Sequence, residues 1–303
     1  MSPMNNRLLV PRKVPGLLDL VPGAAAAYSL RSLSNSYAGP VVTVRRSSDN
    51  TEEDFTAAEV SDGTLAAFCG AGDGFVKTWH SQTGSNDATQ TTAGYQPKIV
   101  SSGVIVTEEG KPAIQFDGSD DFLVGGSAGN FNELHNGNAA VFAVLSVGLT
   151  SNPAALYVIA ATSDIDSTQV GTQIFYDDRA GINNNAYRVA IQRGVSGTSP
   201  GAITHGDVIS PQQQFLLSQL LDVANATADE RLSAYINSSS RLAGNVSTTT
   251  PSASSSTSAL YIGRAPGGLY EFAGHMQELI VYTSDQTANR QLIEGNIAWG
   301  WSV

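Results

Sequence analysis

The chain has 303 residues, 41% of them hydrophobic and only 14% charged, and a net charge of −11. The hydrophobic share excludes a charge-driven disordered chain, and 30 Gly, 34 Ser and 23 Thr favour short strands joined by turns over a helical bundle. No apolar run reaches the roughly 18 residues of a membrane span, and the single Cys69 rules out an intrachain disulfide or a four-cysteine zinc site.

Charge divides the chain. Residues 1–46 carry Arg7, Arg12, Lys13, Arg31, Arg45 and Arg46 against Asp19 alone, whereas the remainder is strongly acidic. An acidic body repels phosphates, so no nucleic-acid partner is expected, and no membrane partner either. Met1 to Val10 lacks the apolar stretch and cleavage site of a signal peptide, which implies synthesis in a reducing cytosol.

In chain order, Pro3, Pro11, Pro15 and Pro22 break the first segment, and Leu8-Leu9-Val10 and Leu17-Leu18 have no periodic partners. Residues 1–24 therefore read as an extended docking arm that needs another surface, and 25–303 as one folded domain. Ala24 to Leu33 is expected to be a short helix, and Leu65 to Cys69 one or two helical turns. Strands are expected at 41–45, 75–79, 99–106, 113–116 and 122–124, with a polar loop over 81–94. Ala139 to Val147 is a nearly continuous apolar run, the pattern of a strand buried on both faces, and 154–161 is similar. Further strands are expected at 172–176, 187–192, 214–223, 231–236, 259–262 and 274–282, with an exposed Ser/Thr-rich loop over 244–258. Ser284 or Asp285 could cap a final helix with apolar Leu292, Ile293 and Ile297. About a dozen short strands and one terminal helix describe an all-β protein, an antiparallel β-sandwich with a short C-terminal helix and an extended N-terminal arm.

Several segments carry a family resemblance. They are Ala27–Arg31 with Val44–Asn50, Phe75–Gly84 running on through Ala88–Gln90 to Gln96–Val100, and Lys111–Leu123 with its Phe116-Asp117-Gly118-Ser119-Asp120-Asp121-Phe122 turn. Together they resemble the N-terminal part of the arabinofuranosidase B catalytic domain, and also concanavalin A-like or laminin G-like jelly rolls of bacteriophage virion proteins. Phe272–Tyr282 and Ile293–Trp301 resemble the closing strand and helix of those jelly rolls, and Asn5–Arg12 resembles the start of phage structural and fibre proteins. The resemblance spans about two thirds of the chain and implies a concanavalin A-like jelly roll. It is more specific for fold than for function. The disulfides of the enzyme family are missing here, and its catalytic carboxylates lie outside the matched segments.

Sugar hydrolysis needs two carboxyl groups about 5–9 Å apart. The adjacent pairs Glu108-Glu109, Asp120-Asp121 and Asp177-Asp178 would point to opposite faces of a strand, so none is expected to be a catalytic pair. Asp117, Asp120, Asp121 and Asn130 offer oxygen ligands for calcium, but a polar turn bonding its own backbone is the favoured reading. His80, His135, His205 and His275 lack metal-ligand spacing and are expected to be structural or solvated. Trp79, Tyr95, Tyr157, Tyr176, Tyr187, Tyr261 and Tyr270 could include a sugar-stacking platform, although core packing is their usual role. The Gly263–Gly268 stretch with Arg264 is not a phosphate loop. The Asn-x-Ser/Thr triplets at Asn225, Asn237 and Asn245 carry no meaning for a protein made in a bacterial cytosol.

The expectation is therefore a non-enzymatic bacteriophage structural protein with no catalytic, cofactor-binding or metal site. It would sit on the virion surface as a tail, fibre or capsid-decorating protein, made in the host bacterial cytoplasm and anchored to other virion proteins by its arm. It would be a homo-oligomer with host surface glycan as a candidate ligand for host attachment. The alternative is a carbohydrate-binding module or a glycoside hydrolase related to arabinofuranosidase B.

Overall fold

The strand Ala273–Tyr282 lies at the centre of the sheet. In the computed structural model, which describes residues 13–148, 156–164, 169–179, 185–193, 201–205, 208–223, 225–243 and 252–303, it pairs antiparallel with Asn138–Val147 along one edge. Along its other edge it pairs with Ala26–Ser29 and Ile114–Asp117. Asn138–Val147 continues to Gln214–Asp222 and then Leu232–Ile236. Ile114–Asp117 meets Lys98–Ser101, which pairs with Gly74–Trp79, itself paired with Val42–Arg46. The sheet curls over itself through Ala88–Thr89, Leu123–Gly125 and Leu260–Ile262 to a second layer, Leu156–Ala161, Val170–Asp177, Ala186–Arg193 and Gly201–His205. The result is the expected all-β antiparallel sandwich.

Strand alternation decides which side chains meet. Val141 and Val281 point between the layers, where they join Ala160, Ile174, Leu260 and Leu134 around a small internal gap. Every residue of Ala139–Val147 is buried, as the apolar run predicts. The opposite face of the central strand presents Glu278, Ile280 and Tyr282 to other cover. The Trp301 indole donates to Glu278 Oε2 (2.7 Å), and the Tyr282 hydroxyl donates to the Val21 carbonyl (2.8 Å). This second cover explains why the strand is buried on both sides.

The C-terminal helix runs Arg290–Trp301, later than a cap at Ser284 or Asp285 would place it. Asp285 Oδ1 instead accepts the Thr287 N–H, closing a turn ahead of the helix. Ile293, Ile297 and Trp301, spaced four apart, are buried, whereas Leu292, one position round, is 48% exposed. Each of the two isoleucines contributes about 1.5–3 kcal/mol by burial.

Two local expectations are corrected. Ala26–Ser29 is a strand, not part of a helix, because edge pairing with Glu278–Val281 takes up its backbone groups. The loop expected to be exposed over 244–258 is seated at its described end, where the buried Ser256 hydroxyl donates to the Thr162 carbonyl; residues 244–251 lie outside the described residues. The expected helix at 65–69 is present as Thr64–Cys69. Of the segment read as an arm, Leu17 and Val21 are buried in the sandwich core and the Leu18 N–H donates to the Leu33 carbonyl (2.8 Å). Among the described residues no helix is long and apolar enough to cross a membrane.

Candidate functional site

The candidate site is built on the turn after Ile114–Asp117. Gly118 takes the left-handed conformation (φ 78°), and a Cβ there would stand 2.7 Å from the Ala273 side chain, so only glycine fits. Asp117 Oδ1 accepts the Ser119 N–H (2.8 Å), and Asp121 Oδ2 accepts the Asp117 N–H (3.0 Å). The turn thus curls until oxygens of Asp117, Asp120 and Asp121 lie within 4.8 Å of one another. This corrects the expectation that Asp120 and Asp121 point apart. That argument holds for extended strand, and these residues are in a closed turn.

The three carboxyls face a cavity of ≈ 420 Å³. Phe75, Gln96 and Lys98 come to it from strands and loops far away in sequence, Gln115 comes from the strand that leads into the turn, and Ala93 and Gly94 close the rim. The wall is rigidly held. Arg45 stacks over Phe75 (4.8 Å) and donates to Gln96 Oε1 (2.7 Å) and the Ala93 carbonyl (3.1 Å). Gln96 in turn donates to the Gln90 carbonyl (2.8 Å), and Gln90 donates to the Phe122 carbonyl (3.3 Å).

Asp121 is only 7% exposed. Burial pushes its carboxyl up to about 7, and the neighbouring Asp117 and Asp120 charges add to the rise; the Asp117 N–H and Lys98 oppose it. Lys98 is engaged in an ion pair with Asp73 (2.8 Å), which limits its effect. One carboxyl that holds its proton near neutrality, beside others within bonding reach of a small ligand, is the arrangement that acid–base chemistry on a glycosidic bond requires.

The other candidates separate. Asn130, the fourth oxygen donor of the calcium alternative, donates from its amide to Asn86 Oδ1 (2.7 Å), while the backbone bonds within the turn match the favoured polar-turn reading. Asp177 is fully buried and paired with Arg179 (2.6 Å) and Arg188 (3.7 Å). Asp178 instead accepts the Asn185 N–H (3.4 Å). Glu108 pairs with His275 (2.8 Å), while Glu109 occupies a left-handed turn. His80 bridges Thr43 and Asp87, and the buried His135 meets the Ser254 carbonyl, both structural placements; the His205 side chain and Asn245 lie outside the described residues. Trp79, Tyr157, Tyr176 and Tyr187 are buried, but Tyr95 and Tyr270 are exposed. Gln96, Lys98 and Phe75 were not singled out as site residues, since only nonlocal strand pairing brings them to the turn.

Neither a family model nor a curated protein matches the sequence. The fold is similar to that of an arabinofuranosidase complexed with arabinofuranosyl-α-1,2-xylobiose, at 16% identity and TM-score 0.63, and this match covers 92% of the present chain and 63% of the other. A mutant GH54 α-L-arabinofuranosidase soaked with 4-nitrophenyl α-L-arabinofuranoside matches at 17% identity and TM-score 0.60 over the same shares. The chain thus spans less than two thirds of those proteins. The expectation of a non-enzymatic protein is overturned by these likenesses to glycosidases, and its main physical premise, the lack of paired carboxyls, fails at the acidic turn.

Proposed function

We propose that the chain acts on a glycan and cleaves a glycosidic bond in the acidic cavity. The observation that supports this is the buried Asp121 carboxyl, pushed up to about 7, beside Asp120 and Asp117 at the cavity wall. Asp121 holds the proton and gives it to the leaving oxygen. Asp120 attacks the anomeric carbon, forming a glycosyl ester. Water then displaces the ester while Asp121 takes a proton back. Oxygens within 4.8 Å of one another are closer to the separation of about 5–5.5 Å in retaining glycosidases than to the wider gap of inverting ones. Asp117 holds the turn together, and its charge helps keep Asp121 protonated.

The test is release of 4-nitrophenol from 4-nitrophenyl α-L-arabinofuranoside and of reducing sugar from arabinoxylan. Asp120→Asn and Asp121→Asn are each expected to lower turnover at least about 100-fold, in line with loss of a general acid or a covalent nucleophile. Full turnover in both variants overturns the assignment. Activity is also expected to fall as pH rises through about 7, where Asp121 loses its proton.

A second reading concerns attachment, and a different observation favours it. Val14, Leu20, Leu292 and Trp299 are 58%, 41%, 48% and 72% exposed and line one surface where the N-terminal stretch meets the C-terminal helix. Contiguous exposed apolar surface of this kind marks contact sites. On this reading the part of residues 1–24 that precedes the core positions Leu17 and Val21, together with that surface, anchors the protein to a virion protein of a bacteriophage, with the glycan site turned toward a host surface. Deleting residues 1–12 together with Trp299→Ser should leave the melting temperature unchanged and abolish incorporation into particles. Normal incorporation would refute it.

A further inference from the structure

We propose that Tyr95 is the stacking residue of a second sugar subsite, and that the ligand of the acidic cavity is a neutral oligosaccharide whose next ring lies on Tyr95. The inference rests on the glycan reading of that cavity and adds the ligand's charge class and length.

Tyr95 ends the short turn Ala93–Tyr95, whose first two residues form the cavity rim. Its side chain is 39% exposed, yet its position is fixed from below. The Phe122 N–H donates to the Tyr95 carbonyl (3.1 Å), and the Tyr95 ring rests on Phe122 at 5.8 Å. Phe122 is itself stacked on Tyr261 (5.9 Å, 9° between planes), with the Arg264 guanidinium 3.5 Å from its centroid. An exposed ring on a braced aromatic stack loses little freedom on binding, which is the property of a sugar-stacking platform. The rim next to Tyr95 is open: a Cβ built on Gly94 would meet nothing within 4 Å. A cavity of ≈ 420 Å³ lies toward the small end of the roughly 300–1,000 Å³ of ligand pockets, and this open rim gives a longer glycan a way out.

Charge selects the ligand. Asp117, Asp120 and Asp121 face the cavity, whereas its Lys98 is held by Asp73. Arg45 is spent on Gln96, Ala93 and Asn50. A uronate or sialate carboxylate entering here meets like charge, and the described cations of the wall, Lys98 and Arg45, are already engaged, so acidic sugars are rejected.

The test is calorimetric titration of the full chain in an Asp121→Asn background, which prevents turnover. The probes are xylotetraose, arabinotetraose and, as the acidic control, tetragalacturonate. At least one neutral tetrasaccharide should bind. Tyr95→Ala should weaken it at least tenfold, Tyr95→Phe less than twofold, and Trp299→Ala not at all, while tetragalacturonate binds at least tenfold more weakly. No neutral binding, equal binding of the acidic probe, or an unchanged Tyr95→Ala affinity overturns the inference. Failure of the cleavage reading shows separately, as no release of 4-nitrophenol or reducing sugar by the unsubstituted chain, and leaves the binding titration readable.

Discussion

Two carboxyl groups that are almost equally hidden, Asp121 and Glu278, are handled in opposite ways. Glu278 is 1% exposed at the face of the central strand. It accepts from the Ser29 hydroxyl (2.7 Å), from Arg31 at both oxygens (2.8 and 3.1 Å) and from the Trp301 indole (2.7 Å). A single acid thereby ties the edge strand Ala26–Ser29, the central strand and the C-terminal helix together. Asp121 is 7% exposed and faces two further acids, with one backbone N–H and a lysine already paired with Asp73 in its favour. Burial is common to both, so burial alone does not make a site. The difference lies in the supply of donors: a buried acid with a full set of donors is structural, and one left among like charges titrates where chemistry is done.

The largest effect expected is at Glu278. Glu278→Ala leaves Arg31 and Trp301 without their acceptor and should cost about 3–5 kcal/mol in denaturant unfolding. A loss near that of a surface residue would break the contrast. The next effect is the pH dependence of stability set by Asp121. Its folded carboxyl titrates above the ordinary 3.8, at about 7, so the folded state holds the proton longer than the unfolded chain. Stability is therefore undiminished below about pH 4, declines as pH rises, and bears the full cost, on the order of 4 kcal/mol, above about pH 7. Asp121→Asn should flatten that decline when unfolding is followed from pH 4 to 8. A third prediction is smaller. Removing the cation with Lys98→Met takes away the charge that lowers Asp121, so the pH midpoint of the decline should move upward, and only slightly given the lysine's ion pair with Asp73. A downward shift would mean that Lys98 does not act on this carboxyl.

The sequence showed the fold well where the signal is local or periodic. The apolar run 139–147 and the strands expected at 214–223 and 274–282 each appear as strands, because a buried strand needs little beyond its own pattern. The segment 24–33 failed for the complementary reason. Ala24-Ala25-Ala26-Ala27 favours helix in isolation, but pairing with Glu278–Val281 decides the outcome. At the site, Asp-Gly-Ser-Asp-Asp at 117–121 was legible as a turn. Its acids were legible as neighbouring oxygen ligands, but the alternation that sets neighbours on a strand apart does not hold for Asp120 and Asp121 in a closed turn.

By itself the sequence determined an all-β sandwich, the turn at Gly118, the strand buried on both faces and the apolar positions Ile293 and Ile297 of the closing helix. These follow from residue spacing and from backbone conformations that few residues tolerate. Only the tertiary structure decided which buried acids meet donors and which gather at a cavity. Phe75, Gln96 and Lys98 reach the Asp121 cavity through antiparallel pairings between distant strands, and Arg31 and Trp301 reach Glu278 from opposite ends of the chain. A carboxyl's behaviour depends on desolvation and on charges within a few ångströms, and those neighbours are chosen by the fold rather than by proximity along the chain.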